Sequence, residues 1–221
     1  MGAMPPVEVP LLVPALAAVT LGLLLWLGER RKSLRAKWAF KPATSALFLV
    51  AALLQDPQRP YDWLVVAALL LSAVGDVALI PPSRRWFLAG LVAFLLGHVA
   101  YALAFWSRPE PWTFRPLAIS AIAAASLVTY AWLRPHLGAM RGPVVAYVGV
   151  ITLMLALAWS LGPPGWTGVT GLIALAATLF YVSDITVARA RFVPGAGFSN
   201  RLVGLPLYYA AQFLFAWSVG S

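Results

Sequence analysis

The chain has 221 residues, of which 62% are hydrophobic and 10% charged, and its formal net charge is +9. Soluble domains carry about 25% charged residues, so this composition excludes an ordinary soluble domain and favours a protein whose apolar faces meet lipid. The chain has no cysteine and two histidines, which excludes disulfides and thiolate chemistry and leaves little room for a histidine-rich metal centre. Because membrane topology accounts for the basic residues, we expect no nucleic-acid partner.

Eight apolar stretches are long enough to cross about 30 Å of hydrocarbon as helices of roughly 20 residues. They cover residues 9–28, 38–55, 62–80, 86–105, 115–133, 143–161, 167–188 and 202–219. All ten tryptophans, among them Trp26 and Trp166, lie within a few residues of a predicted end, which is typical of the membrane interface. The sequence therefore predicts an all-α, polytopic membrane protein in which residues 1–221 form a single transmembrane domain.

Basic residues are concentrated on one side of the predicted bundle. Of the 16 lysines and arginines, twelve lie in the loops after helices 1, 3, 5 and 7, and three lie on the opposite side. This asymmetry predicts cytoplasmic odd-numbered loops, and hence two non-cytoplasmic termini. It fits a multi-pass protein of a bacterial inner (cell) membrane. No basic segment precedes the first helix, so we interpret it as a membrane span rather than a secretory signal.

A weak internal duplication relates the two halves of the chain. A shift of 108 residues, from position 76 to position 184, places Gly75-Asp76 on Ser183-Asp184 and Tyr101 on Tyr209. Each half would contain four helices, so the halves would be parallel repeats about an axis along the membrane normal. Chance similarity between apolar helices is the alternative.

Four ionisable side chains interrupt the apolar helices: Lys41, Asp76, His98 and Asp184. Such residues are costly in a membrane and usually face a bundle interior or a cavity. The two aspartates are expected roughly 6–8 Å inside the cytoplasmic boundary, where Lys41 would meet them. A structural ion pair could explain one aspartate, Lys41 could extend to the interface, and His98 could be a core hydrogen-bonding residue.

Aromatic and amide side chains flank these groups at helical spacing. His98 and Tyr101 belong to a stripe on helix 4, and Tyr181 precedes Asp184 by three residues. Further candidates for substrate binding on helix 8 are Tyr208, Tyr209 and Gln212. Ordinary helix packing and interhelical hydrogen bonding are the alternatives.

Five short motifs, in order, resemble the YhhN family of lysoplasmalogenases. They are Lys41-Pro42-Ala43-Thr44, Gly75-Asp76-Val77-Ala78-Leu79, the run from Phe87 to Tyr101, Tyr181-Val182-Ser183-Asp184, and Leu205-Pro206-Leu207-Tyr208-Tyr209-Ala210-Ala211-Gln212. The resemblance implies an eight-helix hydrolase that cleaves the vinyl ether of a lysophospholipid to a fatty aldehyde and glycerophosphoethanolamine or glycerophosphocholine. It also implies that Lys41, Asp76, His98, Asp184, Tyr209 and Gln212 form the site.

Vinyl ether hydrolysis needs a proton donor, a group that stabilises a cation and a base for water, and two carboxyls in different protonation states provide all three. We therefore predict that one of Asp76 and Asp184 protonates the alkene and the other activates water. Lys41 would favour the ionised form of whichever carboxyl it contacts. The lipid phosphate would meet Arg84, Arg85, Arg189 or Arg191, and no cofactor or metal is required.

Two other functions use paired membrane aspartates. An intramembrane aspartyl protease is one, although Val74-Gly75-Asp76 lacks the first glycine of the Gly-x-Gly-Asp motif of those enzymes. A proton-coupled transporter is the other, although the predicted acids lie near one face rather than at the bilayer midplane.

Overall fold

The computed structural model describes residues 12–163 and 168–221, and these residues form eight long helices. The helices are α1 (Leu12–Leu23), which continues as a π-helix over Leu24–Arg30, α2 (Leu34–Leu53), α3 (Pro60–Ala78), α4 (Arg84–Trp106), α5 (Pro116–Leu133), α6 (Arg141–Ser160), α7 (Gly168–Phe192) and α8 (Phe198–Trp217). The predicted helix starts at residues 9 and 167 lie outside the described residues, as does Trp166. The predicted all-helical fold is confirmed for the residues described.

Within the part of the chain that the structure describes, six helical segments are long and apolar enough to cross a membrane. They are α1 with its π-helical continuation, α3, α4, α5 with the following 3₁₀ turn, α6 with the preceding 3₁₀ turn, and α7. The helices α2 and α8 have 20 residues each and are not among these six; their polar and basic side chains include Lys41 in α2 and Arg201 in α8. These two helices are central to the site described below.

Local sequence signals fix several helix ends. Ser33 and Ser83 cap α2 and α4, where each hydroxyl accepts a hydrogen bond from a backbone N–H three residues later. Proline occupies the first position of α3 and of α5, where a missing N–H costs nothing. At or near these ends, Trp26, Trp63 and Trp86 are each about half exposed, as interfacial anchors are expected to be.

Glycines allow two close helix contacts beside the predicted acids. Gly75 on α3 faces Phe94 of α4, and a Cβ atom at Gly75 would lie 2.6 Å from the ring. Gly204 on α8 faces Thr186 of α7, where an added Cβ would collide with the Thr186 hydroxyl. The two acid-bearing helices, α3 and α7, are therefore each packed tightly against the helix that follows.

A separate polar cluster lies at the opposite end of the bundle. The buried Arg108 guanidinium lies 4.4 Å from the centre of the Tyr61 ring and forms an ion pair with Glu110. Partial burial raises the pKa of Glu110, but the hydrogen bonds from Arg108 outweigh it, so the pKa lies below its usual value. Tyr61 also hydrogen-bonds Ser218, which ties the start of α3 to the end of α8.

Candidate functional site

A partly open cavity lies among helices α2, α3, α4, α5, α6, α7 and α8. Its charged lining residues are Lys41, Asp76, Asp184 and Arg201. The rest of the lining is mostly apolar and includes Phe87, Leu91, Leu133, Val144, Val148, Ile151 and Phe192. The cavity thus combines an ionisable region with an apolar wall, which suits an amphiphilic ligand.

Asp76 is buried and has three donors around its carboxylate. Lys41 Nζ lies 3.1 Å from Oδ1, while the hydroxyls of Ser45 and Tyr208 each donate to Oδ2 at 2.7 Å. Lys41 Nζ also donates to the Asp76 carbonyl oxygen at 2.9 Å. Buried carboxylates are stabilised by such a cation and such charge-assisted hydrogen bonds, so this arrangement suits an ionised Asp76.

Asp184 has a different set of partners. Tyr147 donates to its Oδ2 at 2.6 Å, and His98 Nε2 lies 3.6 Å from the same oxygen. Among the described residues, no lysine or arginine forms a salt bridge with Asp184, whereas Asp76 has Lys41. The two carboxyls therefore line one cavity in contrasting electrostatic surroundings.

His98 is oriented with its Nε2 atom toward Asp184. Its Nδ1 lies 2.6 Å from the Phe94 carbonyl oxygen, which can only accept, and from this bond we assign the proton to Nδ1. In the neutral ring, Nε2 is then an acceptor that faces Asp184 Oδ2 from 3.6 Å, beyond hydrogen-bond distance, and it has no hydrogen-bond partner among the described residues. The imidazole therefore presents an unpaired acceptor to the Asp184 carboxyl across this gap.

The other predicted site residues divide into two groups. Tyr181 and Tyr208 line the cavity, although the Tyr181 hydroxyl bonds to Ser126 rather than to an acid. Behind the cavity, the buried Tyr101 donates to Gln212 at 2.6 Å. Tyr209 reaches the Lys41 carbonyl oxygen at 3.4 Å. Tyr101, Tyr209 and Gln212 are not lining residues, so they support the wall rather than face the space.

The arginines predicted to meet a lipid phosphate do not line the cavity. The four candidates, Arg84, Arg85, Arg189 and Arg191, are exposed, and Arg191 stacks on Phe87 at 4.3 Å from the ring centre. Helix α7 continues to Phe192 and carries Arg189 and Arg191 away from the acids by about two further turns beyond Asp184. The basic rim residue that does line the cavity is Arg201.

Sequence reasoning missed Ser45 and Tyr147, which contact the acids, and Arg201, which lines the cavity. Ser45 follows Lys41 by four residues, and Arg201 precedes Tyr208 by seven, so helical spacing alone could have placed each on the same face as a known candidate. Tyr147 offered no comparable signal, because its contact with Asp184 joins α6 to α7 and depends on tertiary packing.

The YhhN family model matches residues 36–219, a segment that contains every residue lining the cavity. The chain belongs to the YhhN family. One relative that is similar in sequence is lysoplasmalogenase TMEM86B of Rattus norvegicus. It is 34% identical over 210 residues, covering 94% of this chain and 82% of that protein.

Two bacterial relatives extend the comparison. A lysoplasmalogenase of Mycobacterium tuberculosis is 34% identical over 186 residues, covering 80% of this chain and 67% of that protein. The uncharacterized membrane protein YhhN of Escherichia coli O157:H7 is 28% identical over 193 residues, covering 83% of this chain and 86% of that protein. No solved structure matches the chain.

Proposed function

We propose that the protein is a membrane hydrolase that cleaves the vinyl ether bond of lysoplasmalogens. The products would be a fatty aldehyde and glycerophosphoethanolamine or glycerophosphocholine. The observation that carries the proposal is the pair of carboxyls, Asp76 and Asp184, that line one cavity with contrasting partners. Relatives named lysoplasmalogenase support the choice of substrate.

The contrast between the two acids supports different roles for them. Asp76, beside Lys41, would be the ionised carboxylate that activates water and stabilises the cationic intermediate. Asp184 has no such cation and lies in an apolar region, which favours its neutral, protonated form. Asp184 would therefore be the proton donor, with Tyr147 holding its Oδ2 and His98 Nε2 available to exchange the proton.

The reaction balances with these two groups alone. Asp184 gives its proton to the β-carbon of the alkene, which leaves an oxocarbenium ion at the carbon attached to oxygen. Water adds to that carbon while Asp76 takes one of its protons, and the product is a hemiacetal. Collapse of the hemiacetal returns the hydroxyl proton to Asp184, and Asp76 protonates the departing glycerol oxygen, which restores both starting forms.

The shape of the cavity suits a lipid with one chain. Ligand pockets are lined mostly by apolar side chains with a few polar groups, and the apolar wall from Val144 to Ile151 on α6, with Phe87 and Leu91 of α4, would hold the alkenyl chain. The charged region would hold the glycerol part. Burial of the chain among these residues supplies binding energy, while the acids act on the first carbons of the chain.

We further propose that all eight helices cross the membrane, with α2 and α8 shielded from lipid on their polar faces by their neighbours. The basic residues would place the site toward the cytoplasmic leaflet, with both termini on the other side. The presence of the acids on α3 and α7, each packed against the next helix, supports two parallel four-helix repeats.

The test compares two lysophosphatidylethanolamines that differ only in the bond to the chain, one with a vinyl ether and one with a saturated alkyl ether. We expect the purified protein to release aldehyde from the first and to leave the second intact, since an alkyl ether has no alkene to protonate. Absence of aldehyde from the vinyl ether lipid would refute the proposal. Cleavage of a membrane-spanning peptide, or proton-driven solute uptake into proteoliposomes, would then favour one of the alternatives.

A further inference from the structure

Arg201 differs from the other cation that lines the cavity, because Arg201 is not committed to an acid of the site. Lys41 is engaged by the carboxylate and the carbonyl oxygen of Asp76. The Nε atom of Arg201 lies 3.9 Å from Glu29 Oε2, beyond hydrogen-bond distance, and its side chain is 40% exposed. Among the described residues no acceptor lies within hydrogen-bond distance of Arg201, and a guanidinium at a cavity with unpaired donors can bind a phosphate.

Helical spacing separates Arg201 from Asp76 by a distance similar to that between the phosphate and the vinyl ether of a lysoplasmalogen. Arg201, Leu205 and Tyr208 are at i, i+4 and i+7 on α8, and all three line the cavity. Seven residues of helix correspond to about 10 Å along its axis, and Tyr208 contacts Asp76. In a lysoplasmalogen six bonds separate the phosphorus from the first alkenyl carbon, roughly 7 Å when extended. The flexible arginine side chain can span the difference between these two distances.

Glu29 adds a negative charge beside this phosphate position. It lies in the π-helical continuation of α1, a conformation that often occurs at functional positions. Lys37 donates to Glu29 Oε2 at 3.0 Å, and the Glu29 side chain remains 13% exposed. An ionised carboxylate has about four acceptor positions, so the contact with Lys37 leaves capacity for a second cation.

We propose that Arg201 and Glu29 form a headgroup site for zwitterionic lysophospholipids, in which Arg201 binds the phosphate and Glu29 binds the ammonium. This inference rests on the proposed function for the orientation of the lipid. In ethanolamine headgroups the phosphorus and the ammonium nitrogen are four bonds apart, about 5 Å when extended. This spacing is comparable with the 3.9 Å between Arg201 Nε and Glu29 Oε2. Glu29 precedes the segment that the family model matches, which begins at residue 36.

The test measures binding of saturated alkyl-ether lysolipids, which the proposed reaction cannot cleave, to the full-length protein. The two probes carry either a zwitterionic ethanolamine phosphate or an anionic glycerol phosphate. We expect Arg201→Gln to weaken binding of both probes about 10- to 100-fold, because both lose a charge-assisted contact with phosphate. We expect Glu29→Gln to weaken only the ethanolamine lipid, by about fivefold or more, and so to reduce the preference. Arg189→Gln, an exposed arginine at the same end that does not line the cavity, is the matched control and should change neither.

Unchanged affinities for both probes in Arg201→Gln, or an unchanged preference in Glu29→Gln, would overturn the headgroup site. Retained binding of the glycerol lipid by Glu29→Gln shows that this variant is folded, and Arg201→Lys, which keeps the charge but loses the forked geometry, should give an intermediate affinity. Because the probes are not cleaved, a headgroup preference without any vinyl ether hydrolysis would refute the hydrolase alone. Hydrolysis without a preference would refute the headgroup site alone.

Discussion

Replacement of Lys41 by methionine tests how the charge on Asp76 is stabilised. Lys41 is the cation in contact with Asp76, at 3.1 Å, and the side chains are 12% and 3% exposed. Removal of one partner from a buried ion pair leaves an uncompensated charge, which typically costs about 3–5 kcal/mol. The two hydroxyl donors, from Ser45 and Tyr208, remain but carry no charge. We therefore expect Lys41→Met to lower the free energy of unfolding by about 3–5 kcal/mol.

The assay is reversible unfolding in mixed micelles, followed by helical circular dichroism. Lys37→Met is the matched control, because Lys37 forms a comparable ion pair at 3.0 Å with Glu29 but is 26% exposed, and such pairs contribute about 1 kcal/mol or less. The double variant Lys41→Met with Asp76→Asn should recover stability relative to Lys41→Met, because it removes the stranded charge. A cost below about 1 kcal/mol for Lys41→Met, or no recovery in the double variant, would refute an ionised Asp76.

Two further predictions concern α6, α7 and α8. Tyr147→Phe removes the 2.6 Å hydrogen bond to Asp184. Because this bond positions the proton donor rather than the lipid, we expect kcat for aldehyde release to fall about 10- to 100-fold with KM nearly unchanged. An unchanged kcat would contradict that role. Gly204→Ala places a Cβ against the Thr186 hydroxyl and should lower the free energy of unfolding by about 1–3 kcal/mol. Gly149→Ala, in the middle of α6 with nothing within 4 Å of the added Cβ, should be neutral or stabilising, and equal effects of the two substitutions would contradict the packing argument.

Hydropathy, together with the proline, glycine and charged residues between apolar stretches, predicted the helices well because each signal needs only local information. Six of the eight predicted spans are long and apolar enough to cross a membrane. Helix α7 continues to Phe192, four residues beyond the predicted span end at 188, and these last residues include Arg189 and Arg191. The crossing of α2 and α8 stays a prediction, since polar residues that suit the site also lower the hydropathy of these helices.

The candidate site was predictable wherever an ionisable residue stood out against an apolar helix. Such residues need partners, so the meeting of Asp76 with Lys41 followed from their depth, although the choice between the two aspartates did not. Contacts of Tyr147 with Asp184 and of Tyr101 with Gln212 join separate helices and depend on how those helices rotate about their axes. No periodicity within one helix specifies that rotation.

The initial rate of aldehyde release from lysoplasmenylethanolamine by Asp76→Asn and Asp184→Asn tests the two-carboxylate mechanism most directly. Asp56→Asn is the matched control, because Asp56 lies in the loop after α2, outside the cavity, and asparagine tolerates its positive φ of 54°. The mechanism predicts that each cavity variant folds, retains lipid binding and loses at least about 100-fold in rate, a typical general acid–base contribution, while the control keeps the wild-type rate. Full activity in either folded cavity variant would contradict it.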